Sequence, residues 1–390
     1  MSLLQLWEAS PEQIRGKHLH QLIAFAGEGK LRDGSDASQE FRAFLARIPS
    51  AMLISFVDEC LNASFPDSGF SLQDVINEVG RRLGFVVTNG SYQGRQGNVG
   101  FDGLWTLPTA HSLVVEVKTT DAYRIDTDRL AGYRKELAEV GKLTEAASSV
   151  LLVVGRQDTG DLEAQIRGSR HAWDIRLIST DALLRLMSLK ETLDDPQTIT
   201  RICEILIPKE YTRLDEIVNL AFSAAEEIQH DELEAVATES DQDSVEPGER
   251  PVAFHDACVA RLAKREGLPL VRQSRSKYIQ PDGEARVVCA VSKQHRHQGR
   301  TSYWFAFHPH QDEFLGGREN AYLVLGCGSP DRVLAIPHAR VREWLDDLWT
   351  TERDDGRRYW HIRLQQDGDK LWLDRRKGKG RLAMSEFLVR

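Results

Sequence analysis

The most constraining feature of this chain is an apolar strand with two charges set into one of its faces. The run Val114-Val-Glu-Val-Lys118 is apolar enough to lie inside a sheet. Side chains along a strand point alternately to opposite faces, so Glu116 and Lys118 share one side while Val115 and Val117 share the other. Charges in such a strand are costly unless they are paired or bound to a cation. Upstream, Phe101-Asp-Gly-Leu-Trp105 and a short turn supply an antiparallel partner that carries Asp102 towards Glu116. Two carboxylates on adjacent strands suit a hard divalent ion such as Mg²⁺, which keeps several waters and commonly uses one or two carboxylates plus substrate phosphate. Lys118 is then placed to position a water or help deprotonate it. An E-x-K pair also serves to solvate an ordinary exposed sheet face, but a place in a central apolar strand argues against that role.

The order of elements around the hairpin extends the pattern. A helix over Leu72 to Leu83 carries Glu78, and Phe85-Val-Val-Thr88 follows as a first strand. A Gly-rich loop, residues 89 to 100, leads into Asp102. Beyond Lys118, Asp128 is expected to cap a helix that runs to about Glu145. Ser149 to Val154 and Trp173 to Ile178 are buried-strand runs, and Thr180 is expected to cap the next helix. With its D-x13-E-x-K spacing, the stretch from about 70 to 190 resembles the PD-(D/E)xK, or restriction-endonuclease-like, nuclease superfamily. Phe101-Asp102 stands where that family often has Pro-Asp. On the helix after the lysine, where relatives often carry Gln or Lys, this chain offers Tyr133, Arg134 and Lys135.

The resemblance implies an α/β restriction-endonuclease-like core with flanking helices, and Mg²⁺-dependent hydrolysis of DNA phosphodiesters, with Mn²⁺ able to substitute. Asp102, Glu116 and the backbone carbonyl of Val117 would hold the metal, Lys118 would assist the attacking water, and Glu78 would bind a second or water-bridged metal. A type II or modification-dependent restriction enzyme acting on double-stranded DNA, as a homodimer, is the expected activity. Two alternatives stay open: a repair, recombination or defence nuclease for branched or single-stranded DNA or RNA, and a catalytically silent nucleic-acid-binding module.

At 390 residues the chain is comfortable for two domains. The spacing predicts a helical segment over 1–68, a nuclease domain with flanking helices over 69–228, an acidic flexible linker over 229–250 and a mainly β, α+β domain over 251–390. Helices are expected at Glu12 to Phe25, Ser38 to Ala46, Ser50 to Cys60, Leu183 to Leu189, Pro196 to Ile207 and Leu214 to Ile228. The net charge of −9 divides unevenly: residues 1–250 hold 25 Lys and Arg against 41 Asp and Glu, whereas 251–390 hold 25 against 18. The five cysteines are scattered, odd in number and never spaced C-x-x-C, which points to a reducing cytoplasm without a disulfide framework. No apolar stretch reaches membrane-spanning length.

The last 140 residues carry six short strand-like runs and read as a compact β domain, of half-open barrel type, for target recognition. Candidate DNA contacts are Arg272, Arg275 and Lys277, and a second set in Arg375-Arg376-Lys377-Gly-Lys379-Gly-Arg381. Tyr303, Trp304, Tyr359 and Trp360 are candidates for a pocket holding a flipped or modified base, although aromatics alternating along strands more often fill a core. The pairs His295/His297 and His308/His310 have strand spacing that suits a metal, with surface or DNA-contacting histidines the commoner case.

Overall fold

The computed structural model describes residues 2–63, 65–93, 99–107, 111–119, 124–155, 159–208, 251–297, 300–352, 358–376 and 379–389. The chain divides into two compact units, Met1–Lys190 with Gln197–Ala224 and Glu191–Pro196 with Ala225–Arg390. Both are mixed α/β. The helix expected over 214–228, the acidic run over 229–250 and Lys377 lie outside the described residues.

In the first unit, helices α1 (Leu3–Ala9), α2 (Pro11–Ile14), α3 (Leu19–Phe25), α4 (Asp36–Leu45), α5 (Ser50–Asn62) and α6 (Ser68–Leu83) precede a five-stranded sheet. The continuous helix expected over Glu12 to Phe25 is broken instead, because Gly16 turns the chain at φ +82°. The strands are β1 (Val86–Asn89), β2 (Gly103–Thr106), β3 (Ser112–Lys118), β4 (Ser148–Val154) and β5 (Ile175–Ser179), in that spatial order. β1, β2 and β3 pair antiparallel, and β3, β4 and β5 pair parallel. The parallel steps are crossed by α7 (Thr127–Glu139) and α8 (Gly160–Arg167), and α9 (Thr180–Thr192) and α10 (Pro196–Glu204) follow.

Each sheet face is closed by its own apolar cluster. Leu113, Val115, Leu151 and Val153 join the N-terminal helices and α6 on one side. Val114, Val150, Leu152 and Val154 meet Leu130, Tyr133 and Leu137 of α7 and Leu162 and Ile166 of α8 on the other. β4 is buried along its whole length, as a strand covered on both faces must be. The caps differ from expectation by a residue or two. Asp126, not Asp128, accepts from the Arg129 N–H at the start of α7, since the Asp128 carboxylate is turned to His171 and Arg170. α7 also stops at Glu139, ahead of Gly141 at φ +72°. At α9, Ser179 accepts from the Ala182 N–H and Thr180 is inside the helix, buried.

The second unit has α11 (Pro251–Glu266), α12 (Pro309–Leu315), α13 (His338–Trp344) and two sheets. One sheet runs β12 (Val333–Pro337), β11 (Asn320–Cys327), β8 (Ala285–Ser292), β7 (Lys277–Ile279), β6 (Val271–Arg272), with β8 and β11 parallel. The other runs β16 (Leu382–Ala383), β15 (Lys370–Asp374), β14 (Arg358–Asp367), β10 (Arg300–Phe307), β9 (His295–His297), with β13 (Trp349–Glu352) on β14. The half-open barrel expected from short strands is replaced by these two open sheets. The chain leaves β8 for the second sheet and returns through α12 to lay β11 parallel to β8, so one hairpin meander never closes on itself. Cys258, Val259 and Leu262 of α11 cover one face of the first sheet. Its other face shares a core with Tyr303, Phe305, Phe307, Ile362 and Leu364 of the second sheet. All five cysteines are free and buried, and no helix among the described residues is long and apolar enough to cross a membrane.

Candidate metal centre

The β2–β3 hairpin brings the two predicted acids together. Gly103 pairs with Val115, and the same register continued by one residue sets Asp102 opposite Glu116 on the α7 side of the sheet. The Val117 N–H donates to Asp102 Oδ2 at 2.7 Å. Lys118 Nζ reaches Glu116 Oε1 at 2.6 Å. The Asp102 backbone is clamped from three directions: its N–H goes to the Val115 carbonyl, and its carbonyl accepts from Gly90 N at 2.9 Å, Gln73 Nε2 at 3.1 Å and Asn77 Nδ2 at 2.8 Å. Asn77 also takes the Trp105 indole N–H at 2.8 Å. The close approach needs Gly103, where a Cβ would stand 2.1 Å from Asn77 Oδ1.

Burial and then the Glu116 charge push the Asp102 carboxyl up to about 7, against the opposing pull of the Val117 N–H and Lys118. Two carboxylates facing each other in a dry site are poorly compensated by one half-exposed lysine. The donor set fits a hard cation. Asp102 Oδ1 and Glu116 Oε2 take no hydrogen bond among the described residues. In a strand the N–H and C=O of one residue point to the same side, so the Val117 carbonyl faces the Asp102 edge beyond the last β2 rung. Two carboxylates and a carbonyl leave the remaining positions for water and phosphate, as Mg²⁺ requires. No group of three or more His, Cys, Asp or Glu side chains among the described residues forms a complete protein cage.

Glu78 sits elsewhere in its network. Its two oxygens face Arg82 Nε at 2.9 Å and Arg81 Nη1 at 3.5 Å, and Arg82 ties on to Ser50 and to the Leu45 and Ile48 carbonyls. Glu78 thus anchors α6 to α5 and the turn before it. Sequence reasoning missed Gln73 and Asn77, the α6 residues that do touch Asp102. Their signal was a pair of amides four positions apart on a helix that is buried nearly all round. It also missed Asp74, buried against Arg42 at 2.9 Å and the Tyr92 hydroxyl; burial lifts its carboxyl to about 6. This contact pins the start of the Gly-rich loop.

On α7, Tyr133 is the member of the predicted trio that faces the site: burial and the nearby Glu116 raise its hydroxyl, and Arg129 Nε donates to it at 2.5 Å. Arg134 turns to Asp174 at 2.6 Å, and Lys135 is exposed.

In the second unit the candidate DNA contacts are largely engaged with acids. Arg272 bonds Asp256 at 2.6 Å and the Tyr278 hydroxyl at 2.9 Å. Lys277 is buried over the Phe314 ring, and together with Arg275 it lowers the buried Asp194 carboxyl against the cost of its own burial. Arg375 and Lys379 both meet Asp347, at 3.2 and 3.0 Å, and Arg381 meets Asp374 at 3.1 Å. Arg376 is exposed. The four candidate pocket aromatics are split: Tyr303 and Trp360 pack into the core between the sheets, whereas Trp304 and Tyr359 lie on the opposite, outward face. His308 and His310 stack on each other at 5.4 Å.

No known protein family and no curated protein matches this chain.

Proposed function

We propose that the chain is a Mg²⁺-dependent DNA endonuclease with a restriction-endonuclease-like catalytic domain, Mn²⁺ serving in place of Mg²⁺. The observation that carries this is Asp102: its main-chain carbonyl is fixed by three donors, and its buried carboxylate, which among the described residues accepts only from the Val117 N–H, is set opposite a second carboxylate, an expensive arrangement that a divalent cation would relieve. Asp102, Glu116 and the Val117 carbonyl would hold that ion. When bound, it supplies charge stabilisation at the scissile phosphate and a more acidic attacking water. Lys118, held by Glu116, would orient that water through its N–H donors. Tyr133 and Arg129 offer the phosphate a hydroxyl and a cation from the α7 side. Glu78 keeps a structural role.

Restriction or modification-dependent restriction is the activity class this arrangement serves in the proposal, with the second unit acting in recognition. Digestion of modified and unmodified plasmid under Mg²⁺, with end-mapping of products, tests it. Lys118→Ala and Asp102→Ala are expected to lower cutting by at least about a hundredfold while DNA binding persists. Equal cutting by variant and wild type would sink the assignment.

A further inference from the structure

We propose that the outward face of the six-stranded sheet binds single-stranded nucleic acid, with unpaired bases stacked on Trp304 and its neighbours. The face follows from register. Tyr303, Phe305, Phe307, Ile362 and Leu364 point into the core, so Trp304, with its cross-strand partner Arg363, and His361 point away from it. Among the described residues, Trp304, His361 and Arg363 belong to neither apolar cluster of this unit; Trp304 and His361 are half-buried and Arg363 is exposed.

The aromatic surface is held rigidly. The Trp304 indole N–H donates to His361 Nδ1 at 2.9 Å, and His361 Nε2 meets Thr351 Oγ1 at 2.7 Å. Burial and Arg363 depress the His361 pKa, which favours the neutral imidazole that this relay needs. Tyr359 stands edge-on to Trp304 at 6.3 Å, and 5.0 Å from His361. His308 continues the row, 5.6 Å from Tyr359. The rings therefore cross the sheet as a series of fixed surfaces. Rigid rings lose little entropy when a base stacks on them.

Charge selects the occupant. Arg300 and Arg363 lie on this face, are exposed, and have no carboxylate partner among the described residues. The Arg363 guanidinium stacks over Trp349 at 5.1 Å, leaving its N–H edge for phosphate. A depression of about 340 Å³ is lined by Trp304, Arg363 and Gln365 together with His295 and Asp374, the Asp374 carboxylate being held by Arg381 at 3.1 Å, and its volume is within the size range of small-ligand sites. An open row of rings beside free arginines matches a strand whose successive bases stack while its backbone follows the cations. A base flipped from a duplex needs an enclosing pocket, and the aromatics that would close one, Tyr303 and Trp360, belong to the core.

The test is fluorescence anisotropy with labelled oligo-dT of about 12 nucleotides, full-length protein and EDTA. Chelation separates binding from cleavage, so the result stands whether or not Asp102 and Glu116 hold a metal. Binding is expected at low salt and to weaken steeply as salt rises. Trp304→Ala and Arg363→Glu should each weaken it by about tenfold or more, with Trp304→Phe close to wild type. Arg363 is exposed, so its variant keeps the fold even if Trp304→Ala does not. Absence of binding, variants equal to wild type, or a duplex of the same length bound as tightly would each overturn the proposal.

Discussion

Replacing Asp102 by Asn isolates the cost of holding a charge at the candidate metal centre. In the folded chain this carboxyl titrates near 7, against an ordinary value of 3.8. Between those values the folded state keeps a proton that the unfolded state has lost. Stability therefore falls as pH rises through that window, and the full penalty applies above it. At about 1.4 kcal/mol per pKa unit the ceiling is about 4 kcal/mol. Asn keeps an acceptor for the Val117 N–H, so the substitution removes the charge and little else. Allowing for the weaker bond to a neutral acceptor, Asp102→Asn should be about 1–3 kcal/mol more stable than wild type at pH 8 in EDTA, and the two should converge near pH 4. Metal reverses the sign: Mg²⁺ at about 100 times its Kd adds about 2.7 kcal/mol to the wild type and nothing to the variant. Urea denaturation of both proteins across this pH range, with EDTA or Mg²⁺, measures all four quantities. A variant less stable than wild type at pH 8 without metal, or one with the same pH slope, refutes the account of a charge held at a cost.

Glu78→Gln should destabilise the fold by about 2–4 kcal/mol in chemical denaturation, because it strands the buried Arg82 guanidinium. The Mg²⁺ concentration for half-maximal cutting should not move; unchanged stability with lost cutting would return Glu78 to the catalytic set. Gly80→Ala places a Cβ 2.6–2.8 Å from the Trp105 ring, which is fully buried and bonded to Asn77. The expected cost is about 1–3 kcal/mol, with a fall in cleavage because Asn77 also holds the Asp102 carbonyl; denaturation and cleavage assays on the same preparation check both.

The hairpin was legible because a strand has a period of two and a short turn leaves few registers: one apolar face plus one charged face sufficed to place Glu116 and Lys118, and the turn placed Asp102. α6 was legible as a helix but not in its chemistry. Its periodicity marks a buried element, yet Glu78 and Asn77 are neighbours in sequence that face different partners, and only packing tells which meets Asp102. Caps were misplaced by one or two residues because Asp126 and Asp128, or Ser179 and Thr180, are equally good capping types, and for the aspartates the competing bonds of Asp128 to His171 and Arg170 decide between them. The short strands β6, β7, β9, β13 and β16 carry two to four residues each, too few to show a period. The parallel pairing of β8 with β11 joins residues more than 30 positions apart, a contact that no local pattern encodes.

The second unit shows why a count of cations is not a map of a binding surface. Its excess of Lys and Arg over Asp and Glu suggests a partner rich in phosphate, and the clustered basic runs are the obvious place to look. Yet Arg272, Arg375, Lys379 and Arg381 each meet an acid within 3.2 Å, and Lys277 is buried. A paired arginine must give up its carboxylate before it can take a phosphate, so it adds little net attraction. Arg300 and Arg363 give up nothing. Both flank half-buried aromatics whose positions only the β10–β14 register reveals. Affinity for a polyanion is therefore expected from the sheet face rather than from the basic loop. It should depend on stacking as much as on charge, so that neutralising Arg376 costs less binding than removing the ring of Trp304.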